Sequence, residues 1–447
     1  MRVGTAWQDI TPSRPLAVQG QMHRRVAQRT HDPLTVNAAA FQTDGPPVAV
    51  VSCDLLWLSG ESVREAQGEC EKRFGIPAHS VLIACTHTHV APCTQKLLFG
   101  EVDEEFMRSL REAIVGVVGR ALDDLEDAEL YAGAGWLQQM GFNRRGLHKD
   151  GRADMYHGSW NADFAGVEGP RDGEVPVLFA RRPGGDVKLV VSSFSSHPNS
   201  LEGEQFYSAD FPGAVRAFLR RNLGEGLGVV YLTGAAGNTA PSQLEDNPRC
   251  ETPWRGEEGW KRSGLYLGSE ILEVIAGTLK PMNDPALCVA GGVVPIPMRP
   301  WPESFDPEKF QPGGARDYYV QSRADWPRML REESPVQVRL NVLRMGEAAI
   351  CTNPAELYVE HGLLIKQLSP ARVTLIAQLC DGYVGYVPTR QAFKRGGYST
   401  WPAPSSKLAE NAGDFMVEAT RKLMEAAFSD QPSAVSKSER PAEESRS

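Results

Sequence analysis

Two histidines separated by one threonine, His87 and His89, close the apolar run "VLIACTHTHVAP" (Val81 to Pro92). In an extended strand, residues i and i+2 face the same side, roughly 6–7 Å apart at the Cα. Two imidazoles so placed either bind one metal ion together or divide the work, one holding the ion while the other moves a proton. Spacing alone leaves both arrangements open. A third histidine, His197 in "SSFSSHPNSL", also follows an apolar run and is fixed by Pro198. Glu356, in "CTNPAELYVEHG", stands where a strand hands over to a helix, a place that equally suits the helix dipole. Asp54 ends "VVSCD" in the same way, where a cap or turn role competes. Nitrogen and oxygen donors without thiolate fit zinc best, with manganese or iron as alternatives. With an open coordination position, such a centre performs metal-assisted hydrolysis.

Tyrosines 383, 386 and 398 lie in "DGYVGYVPTRQAFKRGGYST", and Arg144 lies in "GFNRRGL". Spacing singles out none of these four. The sequence has no G-x-S-x-G nucleophile elbow and no H-E-x-x-H. "GAAGNTAPS" (Gly234 to Ser242) is glycine-rich after a strand but lacks the lysine of a phosphate-binding loop.

The elements that must position these groups recur in one local pattern. An apolar strand meets a glycine-containing turn, and a second strand returns to end in polar residues. It appears as "AAFQTDGPPVAVVSCD", "VPVLFARRPGGDVKLVVSSFSSH" and "VRLNVLRMGEAAICTNPAE". The return strands deliver Asp54, His197 and Glu356 at or just beyond their ends, which places these groups on one rim of mixed sheet. Amphipathic helical patterns at about 60–74, 103–124, 210–223, 258–278, 356–368 and 407–428 alternate with the strands. The expected class is therefore mixed α/β, with mixed β-sheets packed against helices. Segments 141–174 and 295–315 are polar, glycine- or proline-rich, and read as long functional loops. No composition shift divides residues 1–428, which read as one domain, and 429–447 reads as a disordered tail.

The 447 residues carry a formal net charge of −9 with both signs interspersed, which argues against nucleic acid as a partner. No window approaches the ~18–20 apolar residues of a membrane helix, so no integral membrane segment is expected. "MRVGTAWQDITP" reads as a first strand and not as a targeting segment, which makes the expected location cytoplasmic. Eight cysteines without regular spacing suit reduced core thiols. Oligomeric state is left open.

In order, the motifs "VGTAWQDITP", "VVSCDLL", "CTHTHVAP", "NRR", "SSHPNS", "GNTAPS", "NPAEL" and "GYVPTRQAFKRGGYST" resemble the N-terminal catalytic domain of the neutral, non-lysosomal ceramidases, over roughly residues 2–428. The resemblance implies a Zn2+ ion held by His87, His197, Glu356 and Tyr386. It implies a proton-transfer or substrate-contacting role for His89 beside the metal, an oxyanion-steadying role for Tyr398, and a place lining the site for Arg144. The family's G-D-x-S-P motif reads "GNTAP" here, with Asn238 for the aspartate and Ala240 for the serine. That removes a serine nucleophile at this position and leaves zinc-bound water. Family ceramidases are secreted or surface proteins with a further β-sandwich domain, and neither a signal peptide nor that domain is expected here. The expected activity is thus zinc-dependent cleavage of an amide (N-acyl) bond in a small molecule other than ceramide. A zinc esterase or lactonase, or a retired ligand-binding protein of the same fold, are the alternatives.

Overall fold

The computed structural model describes residues 1–97, 99–245, 254–284 and 286–429. Three sheets dominate it, the first of five strands and the others of four. The first is built from β1 (Arg2–Asp9), β2 (Thr35–Gln42), β3 (Val48–Cys53) and β4 (Val81–Cys85), with the pair Glu126–Asp127 beside β1. The second uses β5 (Glu129–Trp136), β6 (Glu174–Arg181), β7 (Val187–Phe194) and β8 (Gly228–Thr233). The third uses β9 (Leu287–Ile296), β10 (Val336–Met345), β11 (Ala348–Thr352) and β12 (Val373–Ala377).

All three sheets share one topology. The first three strands form an antiparallel meander, and the fourth lies parallel to the third. A parallel neighbour needs a crossover, and a helix supplies it each time: α1 (Gly60–Phe74), α3 (Asp210–Leu223) and α6 (Val359–Leu368). A second helix follows each sheet later in the chain and packs on the same outer face: α2 (Glu104–Asp123), α4 (Gly256–Gly277) and α8 (Ala412–Phe428). The three hairpins that the sequence repeats are the central strands of the three sheets.

The inner faces meet in one apolar cluster to which every sheet contributes, Val50 and Leu82 from the first, Val191 and Val230 from the second, Ile350 and Leu375 from the third. Strands buried on both faces read as continuous apolar runs, which is why "VAVVSC" and "GVVYLT" show no alternation. Local chemistry fixes the helix ends. Ser59 caps α1 by accepting from the Ser62 amide at 3.0 Å, and Gly75 closes it at φ 69°. The Asp103 carboxylate caps α2 through the Phe106 amide at 2.8 Å.

Three expected elements differ. The helix expected over 356–368 begins at Val359, and Glu356 belongs to the short strand Ala355–Leu357. The proline-rich stretch leads into α5 (Gly314–Glu333), which buries Tyr318, Tyr319, Ser322, Trp326 and Met329 at helical spacing. Pro327 inside this helix removes an amide donor and disguises the pattern. Segment 141–174, expected as loop, contains a small sheet of Arg145–His148, Ala153–Met155 and Phe164–Val167. One further short helix, α7, spans Arg390–Arg395. Seven described cysteines are free and six are buried, while Cys250 and the tail beyond residue 429 lie outside the described residues. No helix among the described residues is long and apolar enough to cross a membrane.

Candidate metal centre

The ends of the third and fourth strands of all three sheets converge at one end of the shared core. Hydrogen bonds tie them together: Thr233 Oγ1 donates to the Thr86 carbonyl at 2.6 Å, the Gln378 amide to the Thr233 carbonyl at 2.9 Å, and the Cys85 amide to the Leu379 carbonyl at 3.2 Å. Beyond this ring lie His87 after β4, His197 after β7, and Glu356 and Tyr386 on the parallel short strands Ala355–Leu357 and Gly385–Val387, where they face each other in register.

His87 is not in extended backbone as the strand geometry of H-x-H would have it. The strand stops at Cys85, and His87 adopts φ 73°, a left-handed conformation that costs a β-carbon-bearing residue energy. Hydrogen bonds from the Thr86 amide to the Cys53 carbonyl and from the His87 amide to the Leu55 carbonyl, each 2.9 Å, hold the turn. Asp54 supports it from behind. Its carboxylate accepts from Thr86 Oγ1 at 3.3 Å, from the Thr35 amide at 2.7 Å and from the Arg216 guanidinium. Asp54 is thus wholly buried and does not line the site.

The tautomers follow from the partners. His87 Nδ1 lies 2.9 Å from the Leu56 carbonyl and His197 Nδ1 lies 2.8 Å from the Ala236 carbonyl. A carbonyl only accepts, so each Nδ1 carries a hydrogen and each Nε2 is the ring atom turned to the shared point. Those two Nε2 atoms stand 2.9 Å apart, and Glu356 Oε2 lies 3.3 Å from one and 3.5 Å from the other. Glu356 Oε2 is buried with no hydrogen-bond partner. Three metal-ligating atoms thus crowd one buried place, with the Arg144 guanidinium 3.2 Å from His197 Nε2 at its edge. The donor set therefore fits a divalent ion, with the outer N–H of each imidazole anchored as metal-ligating histidines commonly are.

Tyr383 donates to Glu356 Oε1 at 2.9 Å and stacks on Trp57, ring centroids 4.1 Å apart. Arg144 is 1% exposed, unlike most arginines. Its guanidinium donates to the Gly237 carbonyl at 2.9 Å, to the Tyr386 hydroxyl at 3.3 Å and to the Tyr156 hydroxyl at 2.7 Å, while its Nε–H has no partner. Tyr386 and Tyr398 meet edge to face, centroids 6.0 Å apart. His89 lies across the site. Its Nδ1 is 3.1 Å from the Gly20 carbonyl and its Nε2 is buried without a partner. One nitrogen from each of His87, His89 and His197 falls within 4.8 Å of the others, so distance alone admits His89 as a third ligand.

Burial, reinforced by the neighbouring Arg144 and imidazoles, holds the His197 and His89 rings well below the ordinary histidine pKa. Burial pushes the Glu356 carboxyl up, but His87 and the Tyr386 and Tyr383 hydroxyls outweigh it and leave it below its usual value. Burial drives the Tyr386 and Tyr398 phenols well above theirs, so a tyrosine donor here needs a cation to offset it.

The centre forms one wall of a cavity of about 630 Å³, also lined by Met22, Trp57, Tyr156, Tyr319 and Trp401. Sequence reasoning missed these five, and only the aromatic character of segment 141–174 hinted at Tyr156. Asn238 caps α6, accepting from the Val359 amide at 2.8 Å and donating to Glu360 at 2.9 Å. Ala240 is fully buried opposite Phe142 and forms no part of the cavity wall.

No protein-family model matches the sequence, and no curated protein matches it. Among solved structures, the chain is similar to neutral ceramidase from Pseudomonas aeruginosa, at 18% identity and a TM-score of 0.75, covering 95% of this chain and 74% of that one. It is also similar to a ceramidase complexed with C2, at 17% identity and a TM-score of 0.74, with the same coverage of each chain. The fold is that of neutral ceramidase.

Proposed function

We propose that the protein is a zinc-dependent hydrolase that cleaves an amide (N-acyl) bond in a small-molecule substrate other than ceramide. The observation that carries the reading is the convergence of His87 Nε2, His197 Nε2 and the unpartnered Glu356 Oε2 on one buried point in the cavity wall. We assign these three, with Tyr386, as the zinc ligands. A zinc ion there supplies a Lewis acid that polarises a carbonyl and acidifies water.

The chain's own residues divide the remaining work. His89 Nε2, with its lone pair free because Nδ1–H is engaged by Gly20, accepts a proton from the attacking water. The water oxygen bonds to the acyl carbon and the carbonyl oxygen takes up the negative charge. Tyr398 and the partnerless Nε–H of Arg144 donate to that oxygen. As the C–N bond breaks, the proton on His89 passes to the departing nitrogen, so the products are a carboxylic acid and an amine. The apolar wall of Met22, Trp57, Tyr319 and Trp401 suits the acyl group, and the volume lies in the range of drug-sized ligands.

The test is a panel of N-acyl amines of graded chain length, each with its matched ester, incubated with zinc-loaded protein. Release of amine that chelation abolishes and added Zn2+ restores is the expected result. Folded, zinc-loaded protein that cleaves esters but no amide replaces the reading with an esterase. Protein that cleaves neither leaves the cavity as a binding site.

A further inference from the structure

Away from the cavity wall, one other group of side chains among the described residues has the donor chemistry of a metal centre. His148 ends the strand Arg145–His148, Asp154 lies on the facing strand Ala153–Met155, and His157 and Asp163 come from the turn that leads to Phe164–Val167. His148 Nδ1 is 2.8 Å from Asp163 Oδ2, and His157 Nε2 is 3.3 Å from Asp163 Oδ1. The two rings lie nearly parallel with centroids 3.7 Å apart, and one donor atom from each of the three residues falls within 4.8 Å of the others.

Hydrogen bonds to carboxylates engage both ring nitrogens of His148, but they do not account for His157. His157 is 9% exposed, and its Nε2 is buried with no hydrogen-bond partner. The far side of His148 is anchored as well: its Nε2 lies 3.0 Å from Asp154 Oδ2, so a cation that replaces the proton between Nδ1 and Asp163 finds the ring already oriented. The two exposed carboxylates leave the opposite side open to water.

We propose that His148 Nδ1, His157 Nε2 and the Asp163 carboxylate form a second site for a divalent transition-metal cation of the zinc type, with Asp154 orienting His148 from outside. Two imidazoles and a carboxylate with water completing the shell is a donor set that zinc accepts. The ion acts as a positioning staple. It joins one strand end to the turn that carries Tyr156, a residue held at φ 62° whose hydroxyl accepts from Arg144 at 2.7 Å. Asp154, Met155 and Tyr156 also line the cavity, so the staple sets the position of that wall.

The experiment is Zn2+ titration of chelator-stripped full-length protein, with bound metal measured per chain after gel filtration. The wild type is expected to saturate at two equivalents, and His148→Ala, Asp163→Asn and His87→Ala at one each. Circular dichroism reports folding. Should His148→Ala fail to fold, Asp163→Asn decides, since its half-exposed side chain occupies no core volume. Saturation of the wild type at one equivalent that His87→Ala removes overturns the second site, as does retention of two equivalents by Asp163→Asn. One equivalent lost in Asp163→Asn but kept in His87→Ala upholds the second site and removes the cavity centre instead.

Discussion

Glu356 and Tyr386 face each other in register across two short parallel strands that follow β11 and β12 of the third sheet. A three-residue ladder thereby presents a carboxylate and a phenol side by side, while His87 and His197 arrive from the other two sheets. Each sheet contributes at the same end, because each repeats the same connection of meander, crossover helix and parallel fourth strand. This placement yields five expectations.

The proposed mechanism gives His89 and His87 different tasks. His89→Gln is expected to lower kcat by about 10²–10⁴ while zinc content stays unchanged. His87→Ala is expected to lose zinc and activity together. If His89→Gln sheds the metal as His87→Ala does, His89 is a third nitrogen ligand.

Tyr398→Phe removes one donor to the developing oxyanion and leaves the ring packed against Tyr386. A fall of about 10²–10³ in kcat with little change in KM is expected from steady-state kinetics. A rise in KM with kcat preserved would place Tyr398 in ground-state binding only.

Tyr383 touches the metal centre only through Glu356 Oε1, at 2.9 Å. Tyr383→Phe keeps the stacking on Trp57 and should weaken zinc by roughly 10–100-fold, read against a competing chelator. Unchanged affinity would show that Glu356 needs no such support.

Ala240→Ser tests whether the position of the missing serine matters. The side chain sits in a buried ladder outside the cavity, so kcat should not rise, and an unpaired buried hydroxyl should cost about 1–3 kcal/mol in denaturant unfolding. A burst of acyl-enzyme in this variant would contradict the geometry.

Asp381 joins the first sheet to the third, accepting from the Ile83 amide at 3.0 Å and from Asn341 Nδ2 at 2.9 Å. Burial pushes its carboxyl up to about 6 from an ordinary 3.8, against the pull of those donors. The folded state therefore holds a proton that the unfolded chain releases, so this contribution is full below about 4 and is lost as pH rises through about 6. Urea unfolding of wild type and Asp381→Asn between pH 4 and 7 should show wild type losing stability relative to the variant across that window. Parallel curves would remove Asp381 as the titrating group.

Much of the frame was legible in the sequence because it rests on local signals. The three hairpins announce themselves through apolar runs broken by "TDGPP", "RPGGD" and "MGE", and α1, α2 and α3 through their amphipathic periodicity. The helix α5 was hidden by Pro327, and the start of α6 was misplaced because "NPAEL" carries helix-start signals while pairing as a strand. Neighbouring strands overrode the local preference there.

The sequence by itself determined which residue types stand at strand ends: His87, His89, His197 and Glu356 each follow an apolar run, and the order of motifs carries the resemblance to neutral ceramidases. The tertiary structure alone decided which of them meet. It pulled His87 into a left-handed turn, turned both Nε2 atoms inward by engaging their Nδ1 hydrogens with backbone carbonyls, and set Asp54 behind the site as a brace. It also buried Arg144 beside the tyrosines. Hydrogen-bond partners far apart in the chain fix tautomer, orientation and burial, and no local pattern encodes those partners.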